Sequence, residues 1–294
     1  MKKDNFWYIV SYPKSGNTWC RVFIKRLLDL KEQSQLKKDC NNTKFDINRD
    51  LKTGEIISNR SWIDDQLGIE SSDLTKMELD PIRFKLGSAS TIYGNSLRFH
   101  KVHDMYKSPY SNGNPVVSNK CLGAIYIVRN PLDIVISLKH FFNFDIEESI
   151  DFILNENSQL NSHRYQANQF LGSWGNHVLS WTEQKDIPLL VIKYEDLLNS
   201  PNKYFLQISK FLELSESQKL VDKAIKESSF NKLQKLEEEE EGGFIEKPKS
   251  CKKFFRSGRI GEGLKLLDEK QIKRITDSFK YQLDLLKYDL NKNK

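Results

Sequence analysis

Three short runs of apolar residues stand out along this chain of 294 residues. They cover residues 6–10, 122–128 and 187–193, and each is rich in β-branched or aromatic side chains. Such runs are typical of strands that are buried on both faces of a parallel sheet. Amphipathic segments with helical spacing lie between them. The alternation predicts an α/β fold, a single domain over residues 1–294 with a central parallel β-sheet flanked by helices.

Other segments have a weaker pattern. Residues 31–54 are polar and rich in Asn and Lys, which favours a surface loop or a short helix. Residues 56–86 carry scattered apolar positions without a sustained period, which predict short helices or a lid. Residues 264–290 predict one terminal amphipathic helix and a tail.

The first apolar run leads into a turn with the character of an anion site. Pro13 and Gly16 end the strand, and Thr18 is a candidate cap for the helix that carries Trp19. Unpaired N–H groups at a helix start and the helix dipole attract a phosphate or sulfate. Additional donors come from the side chains of Lys14, Ser15, Asn17 and Thr18.

The spacing in this turn differs from that of the P-loop of nucleotide triphosphatases. A P-loop has Gly, four residues, and then Gly-Lys followed by Ser or Thr. Here Lys14 precedes Gly16 by two residues, and the chain contains no Gly-Lys pair. ATP hydrolysis is therefore disfavoured, while an ordinary strand-to-helix turn remains the alternative without function.

Composition excludes several classes of protein. The chain is 38% hydrophobic and 29% charged, with a net charge of +6 from scattered lysines, so we predict no nucleic-acid partner. The four cysteines are far apart and no metal-ligand spacing occurs, which predicts free thiols and no metal. No apolar run is long enough for a signal peptide or a membrane span, and we predict a cytoplasmic protein.

A second chemical cluster follows an alternating segment over residues 97–103. It predicts a strand that delivers Lys101 and His103 to a loop. A histidine with a pKa near neutrality is suited to take a proton from an attacking hydroxyl. His100 is the competing base, but alternation turns it to the side opposite Lys101, which favours His103.

The third cluster lies where the second apolar run ends. Asn130 is suited to cap a helix with Pro131 as its first residue. Arg129 immediately precedes this cap, and Ser137 lies about two turns into the helix.

These clusters, in this order, resemble those of soluble sulfotransferases that use 3′-phosphoadenosine 5′-phosphosulfate (PAPS). Tyr12-Pro13-Lys14-Ser15-Gly16-Asn17-Thr18-Trp19 resembles their 5′-phosphosulfate loop, with Asn17 where Thr is usual. Lys101-Val102-His103 is similar to their Lys-Thr-His, whose histidine is the catalytic base. The segment from Arg129 to Ser137 resembles their 3′-phosphate motif, which implies that these two residues hold that phosphate.

Further similarity extends towards the C-terminus. Tyr194, Ser228 and Phe230 match family positions that contact adenine, with Ser228 in place of Thr. Arg256-Ser257-Gly258, with Gly261 after it, resembles the family's C-terminal Arg-Lys-Gly-x-x-Gly-Asp-Trp. Ser257 replaces a lysine, Glu262 an aspartate and Gly263 a tryptophan, which puts one phosphate contact and some packing in doubt; Arg259 is a candidate to compensate.

The resemblance implies a P-loop-kinase-like sulfotransferase fold and in-line transfer of a sulfuryl group from PAPS, which leaves as PAP. His103 would take the acceptor proton, Lys14 would neutralise the leaving phosphate, and Lys101 would assist at the sulfuryl oxygens. No metal is required. The acceptor, a small molecule, glycan or lipid, and the oligomeric state stay open. A small-molecule kinase and a catalytically silent PAPS-binding protein are the alternatives.

Overall fold

Four parallel strands form the central sheet, confirming the predicted α/β class. The computed structural model describes residues 6–36, 46–51, 57–89, 98–239, 244 and 246–289. The strands pair in the order β2, β1, β3, β6, so β1 and β3 are interior. They are β1 (Phe6–Ser11), β2 (Arg98–Val102), β3 (Gly123–Val128) and β6 (Leu189–Lys193), while β4 (Gln159–Leu160) and β5 (Gln169–Phe170) form a separate antiparallel ribbon.

Helices connect these strands and cover both faces of the sheet. The longest is α1 (Asn17–Leu36), which follows β1 directly. The others that the structure describes are α2 (Ile47–Asp50), α3 (Arg60–Leu67), α4 (Lys76–Ala89), α5 (Pro131–Phe142), α6 (Ile146–Leu154), α7 (Trp174–Thr182), α8 (Tyr194–Asn199), α9 (Pro201–Phe211), α10 (Gln218–Glu227), α11 (Phe230–Glu239), α12 (Glu262–Leu266), α13 (Glu269–Ser278) and α14 (Lys280–Leu285).

The strands are buried on both sides because alternate side chains enter two different cores. Tyr8 and Tyr126 enter the core that α5 and α7 complete. Ile9 and Ile125 enter the core that α1, α9 and α10 complete. All six residues of β1 and all six of β3 are buried, which explains the unbroken apolar runs.

The polar segment after residue 31 is partly helical, as the short-helix alternative expected, because α1 continues to Leu36 and α2 covers Ile47–Asp50. The single helix expected over residues 264–290 was wrong. The terminal segment forms three short helices because Leu267 is extended and Asp268 starts a new helix with a capping box. Cys40 lies outside the described residues.

Candidate active site

The predicted functional segments follow the carboxyl ends of the four parallel strands. Residues 12–18 follow β1, His103 follows β2, Arg129 follows β3, and Tyr194 follows β6. The chain runs from β1 outward to β2 and then returns to β3 on the other side of β1. In open α/β sheets, ligands bind at such a switch point, outside the carboxyl ends of the strands. The fold therefore brings the separate motifs to one crevice.

The loop after β1 combines unusual backbone geometry with unpaired polar groups. Lys14 and Gly16 have φ angles of 69° and 100°. A Cβ on Gly16 would lie 2.7 Å from the Tyr194 ring, so a side chain there is excluded. Ser15 Oγ and Asn17 Oδ1 are buried without a hydrogen-bond partner among the described residues. The Ser15 hydroxyl, a buried donor beside a helix N-terminus, is suited to bind an anion, whereas Asn17 Oδ1 can only accept a hydrogen bond.

The helix after this loop begins one residue earlier than the cap predicted at Thr18. Asn17 is the first residue of α1, and the first intrahelical hydrogen bond runs from Cys20 N to Gly16 O, at 3.1 Å. Thr18 lies in the first turn. The Asn17 side chain instead donates from Nδ2 to Ile9 O at 3.0 Å, which anchors the turn to β1. The N–H groups of the first turn remain available to a ligand.

Lys14 extends between two phenylalanine rings. Its Nζ lies 3.9 Å from the centroid of Phe141 and 4.1 Å from that of Phe254. Burial and the positive charges of Arg129 and Lys101 lower the Lys14 pKa to about 7. The aromatic rings attract the charged form, while desolvation disfavours it. A bound anion would shift this balance towards the ammonium.

His103 is held as a neutral imidazole with a defined tautomer. Its Nδ1 lies 2.7 Å from Ser11 O, a carbonyl that can only accept, so Nδ1 carries the proton and Nε2 is the basic atom. Burial and the positive charge of Lys101 lower the His103 pKa to about 3. His177 Nε2 donates to His103 O at 3.1 Å, and His177 Nδ1 accepts from Tyr126 OH at 2.9 Å. A buried network therefore fixes this histidine.

A buried ion pair anchors the residue that follows His103. The guanidinium of Arg83, on α4, donates to both carboxylate oxygens of Asp104, at 2.6 and 3.1 Å. Asp104 Oδ1 also accepts from Phe170 N at 3.1 Å. Both charged side chains are almost completely buried. This pair joins α4, which begins within the segment of residues 56–86, to the loop that holds His103.

His100 lies on the opposite side of β2, as the alternation predicted. Its ring packs against Phe6 and Tyr8, with centroid distances of 5.2 and 5.5 Å. His100 is 3% exposed and belongs to the aromatic packing at that face of the sheet. The strand therefore directs His100 to the core and Lys101 to the crevice.

Lys101 is paired with a buried carboxylate at the end of β2. Its Nζ donates to Glu246 Oε2 at 2.9 Å. Thr18 Oγ1 donates to the same oxygen at 3.4 Å, and Arg21 donates to Oε1 at 2.6 Å. Sequence inspection missed both Arg21 and Glu246. Arg21 follows Thr18 by one helical turn, which is a usable signal, whereas nothing local marks Glu246.

Arg129 connects two of the predicted binding loops. Its guanidinium donates to Lys14 O at 3.0 Å and to Arg259 O at 3.1 Å, and it stacks 4.5 Å from the centroid of Tyr194. Arg129 Nε is buried without a partner among the described residues. Ser137 lies farther along α5 and is half-buried. Arg259 contributes its carbonyl here, not its side chain.

The positions predicted to contact adenine are brought together beside α1. Trp19 Nε1 donates to Ser228 O at 2.9 Å, and its ring meets Tyr194 edge-on at 6.0 Å. Ser228 is fully buried, and its hydroxyl donates to Ala224 O at 2.9 Å. Phe230 begins α11, and a Cβ on Gly258 would lie 2.5 Å from its ring.

The structure explains how the C-terminal loop is held without the family's tryptophan. The Asp133 carboxylate accepts hydrogen bonds from Gly261 N at 2.9 Å and from Gly263 N at 2.8 Å. A Cβ on Gly263 would lie 2.4 Å from the carbonyl carbon of Leu132. Any side chain at residue 263 is therefore excluded by backbone. The loop packs directly on the first turn of α5.

Arg256 and Glu262 of this loop form an ion pair. Both terminal nitrogens of Arg256 donate to the Glu262 carboxylate. Ser257 Oγ accepts from Arg259 N at 3.2 Å, and Gly258 has a φ of 62°. The longer Glu262, which replaces an aspartate, thus reaches Arg256. Ser257 makes a turn contact in place of the charge that a lysine would supply.

Comparison with known proteins identifies the family. The sulfotransferase domain family matches residues 4–287. The chain belongs to this family. Sulfotransferase 1B1 of Canis lupus familiaris is 25% identical over 227 residues, which cover 76% of this chain and 64% of the dog protein. Cytosolic sulfotransferase 14 of Arabidopsis thaliana is 29% identical over 175 residues, covering 57% of this chain and 50% of the plant protein.

Solved sulfotransferases share the fold. Mouse sulfotransferase SULT7A1, crystallised with PAP, superposes with a TM-score of 0.61 at 21% identity, covering 96% of this chain and 84% of the mouse chain. Retinol dehydratase, crystallised with androsterone and the inactive cofactor PAP, gives a TM-score of 0.60 at 18% identity, with 96% and 82% coverage. These similarities establish the sulfotransferase fold for this member of the family.

The described residues contain neither a metal-binding cluster nor a helix that could span a membrane. No three His, Cys, Asp or Glu side chains in that part of the chain form a group that could hold a metal ion. Likewise, no helix among the described residues is long and apolar enough to cross a membrane. Cys20, Cys121 and Cys251 are buried and form no disulfide with one another.

Proposed function

We propose that this chain, as one domain over residues 1–294, transfers a sulfuryl group from PAPS to a hydroxyl or amine of an acceptor. The observation that carries the proposal is the bridge between the first and third motifs, in which Arg129 donates to Lys14 O at 3.0 Å. A residue suited to a 3′-phosphate is thereby joined to a loop suited to a 5′-phosphosulfate. His103 lies at the neighbouring strand end.

Three orphaned polar atoms support the fit of PAPS to this crevice. Ser15 Oγ, Asn17 Oδ1 and Arg129 Nε are buried without hydrogen-bond partners among the described residues. Leaving such groups unpaired costs about 1–3 kcal/mol each, and a ligand or ordered water can satisfy them. The two donors among them are suited to phosphate oxygens. When bound, PAPS supplies the sulfuryl group and leaves as PAP.

We assign the proton transfer to His103. Its Nδ1 proton is committed to Ser11 O, which leaves the Nε2 lone pair to take the proton of the attacking hydroxyl. With a pKa lowered to about 3, the free imidazole is neutral at physiological pH, so its Nε2 lone pair is unprotonated, but it is a weak base until the pKa rises. Bringing a negatively charged donor nearby would raise this pKa and increase its basicity.

We assign charge stabilisation to the two lysines of the crevice. Lys14 would neutralise the leaving 5′-phosphate together with the backbone N–H groups of Ser15, Gly16, Asn17 and Thr18. Lys101 would contact the sulfuryl oxygens from the end of β2. Both ammonium groups are largely removed from water. Their interaction with an anion is therefore stronger than it would be in solvent.

The remaining predicted residues are assigned to the nucleotide. Arg129, Ser137, Arg256, Ser257 and Gly258 would form the 3′-phosphate side, which distinguishes PAPS from ATP. Trp19, Tyr194, Ser228 and Phe230 would form the adenine side. The hydrogen bond from Trp19 to Ser228 O and the contact of Phe230 with Gly258 support one continuous wall.

We propose a small-molecule acceptor and a cytoplasmic location. The names of the 3-beta-hydroxysteroid sulfotransferase of Cavia porcellus and the amine sulfotransferase of Oryctolagus cuniculus state small-molecule acceptors. The names of two Arabidopsis thaliana relatives state that they are cytosolic. The matched residues span 64% of the length of the sulfotransferase 1B1 proteins of dog and mouse. The acceptor would enter beside α4, which Arg83 ties to the loop of His103.

The decisive experiment is calorimetric titration with PAP, ADP and ATP. We expect micromolar or tighter binding of PAP and much weaker binding of ADP, because only PAP carries the 3′-phosphate. Arg129→Ala should abolish this preference, whereas the matched control Arg164→Ala, at an exposed position, should retain it. Equal or tighter binding of ATP, especially with Mg²⁺, would reject the proposal and favour a small-molecule kinase.

A further inference from the structure

One buried carboxylate lies among the cationic and hydroxyl groups of the proposed donor site. Glu246 uses its two oxygens differently: Oε1 accepts from Arg21, while Oε2 accepts from Lys101 and Thr18. The side chains of Arg21, Lys101 and Glu246 are at most 10% exposed. The contact is therefore an interior one, not a surface ion pair.

The position of Glu246 Oε2 is the position in which an oxygen of a donor anion would be expected. Thr18 is in the first turn of α1, and Lys101 is at the end of β2. An oxygen that accepts from both groups lies where the helix N-terminus meets the lysine. Glu246 thus satisfies Lys101, which the proposed function assigns to the sulfuryl group, and the hydroxyl of Thr18, whose backbone N–H is assigned to the 5′-phosphate.

Glu246 cannot avoid repulsion of a bound anion by taking up a proton. The positive charges of Arg21 and Lys101 hold its pKa well below the usual range, in spite of its burial. At neutral pH it remains a carboxylate. A second anion at hydrogen-bond distance from Lys101 would face this charge at a few ångströms, where burial weakens dielectric screening.

We propose that Glu246 is an internal counter-anion that occupies the sulfuryl end of the donor site and releases Lys101 and Thr18 when the donor binds. This inference rests on the proposed function of the same site. Arg21 is the positioning residue, because its contact is with Oε1, whereas the donor would displace only Oε2. Rotation of the carboxylate towards Arg21 clears Lys101 without unpairing a buried charge.

Because Glu246 is paired with Lys101, only a ligand with an anionic group at that position competes for this lysine. PAP has a 5′-phosphate near Thr18 but no sulfuryl group to replace Glu246 at Lys101. PAPS carries both groups, so it competes with the carboxylate more completely. Neutralising Glu246 should therefore strengthen the binding of PAPS more than that of PAP.

The test is calorimetric titration of PAPS, PAP and 3′-AMP into Glu246→Gln, without acceptor. Glutamine keeps the shape of the side chain and removes its charge. We expect PAPS to bind about tenfold more tightly or better, PAP to gain less, and 3′-AMP, which has no 5′-phosphate, to be unchanged. Glu238→Gln is the matched control, since Glu238 forms an exposed pair with Lys253 and should have no effect.

Three results would overturn the inference. PAPS affinity that is unchanged or weaker in folded Glu246→Gln would exclude competition. An equal gain for 3′-AMP would indicate a general effect of net charge. Failure of PAPS and PAP to bind even the unaltered protein would reject the proposed function and this inference together, whereas binding that is identical in both forms rejects only the inference.

A second measurement needs no substitution. In a crystal structure of the unaltered protein with PAPS, we expect Lys101 Nζ to contact the sulfuryl group and to lie beyond about 4 Å from Glu246 Oε2. The Glu246 contact with Arg21 should persist. A bound donor beside an intact Lys101–Glu246 pair at 2.9 Å would contradict the displacement.

Discussion

Raising the pH should weaken PAP binding through one group, Lys14. Its Nζ is held between the rings of Phe141 and Phe254, and its pKa is lowered to about 7 by burial and by nearby positive charges. An ordinary lysine, with a pKa near 10.4, would stay charged throughout this range. Lys14 instead loses its proton just above neutrality, so the free site loses positive charge as the pH rises.

The expected decrease in PAP affinity follows from the fraction of the protein in which Lys14 is protonated. With a pKa of about 7, Lys14 is half protonated at pH 7, and only about 1% is protonated at pH 9. If the phosphate binds only the ammonium form, affinity falls about fifty-fold between these pH values. The ligand contributes little, because the second pKa of a phosphate ester is near 6 and the dianion dominates above pH 7.

The assay is calorimetric titration of PAP at pH 7, 8 and 9 at constant ionic strength. Lys14→Arg is the matched control, because a guanidinium stays charged and also stacks on aromatic rings. We expect the affinity of the variant to change by less than about threefold. An unaltered protein with constant affinity from pH 7 to 9, or a variant with the same decline, would refute the role of Lys14.

Two further predictions concern the proposed base, His103, and the buried pair of Arg83 and Asp104 beside it. His103→Ala should lower kcat by about 10²–10⁴-fold while PAP affinity stays within about twofold, and His100→Ala should keep turnover; the opposite pattern in a steady-state assay would transfer the role to His100. Arg83→Met should destabilise the protein by about 3–5 kcal/mol in urea unfolding at neutral pH, because Asp104 is left buried and charged. Arg274→Met, at an exposed pair, should cost less than about 1 kcal/mol, and an equal loss in both variants would exclude a special role for the buried pair.

Local sequence predicted the strand ends and helix starts around the candidate site because the physics that sets them is local. The apolar run before residue 12, the breakers Pro13 and Gly16, and the cap at Asn130 indicate strand ends and helix starts without reference to distant residues. The structure has a strand end and a helix start at each place, and Asn130 Oδ1 accepts from Leu132 N as a cap. Strand alternation likewise separated His100 from Lys101.

Partners that come from distant parts of the chain could not be predicted in this way. Glu246 meets Lys101 across 145 positions, and Asp104 meets Arg83 through a contact between a helix and a loop. Pairwise charge contacts of this kind leave no periodic pattern. The absence of a side chain at residue 263 looked like a loss of packing, whereas the structure shows that Leu132 occupies the space.

The sequence by itself therefore determined the α/β class, the strand and helix that flank each motif, and the residue types available for the proposed sulfuryl transfer. These follow from hydrophobic period and from backbone preferences, which act over a few neighbouring residues. Only the tertiary structure decided that Arg129 spans two loops, that Lys14 titrates near neutrality, and that Glu246 holds Lys101. Desolvation and ion pairing depend on groups brought together by folding, so no local pattern encodes them.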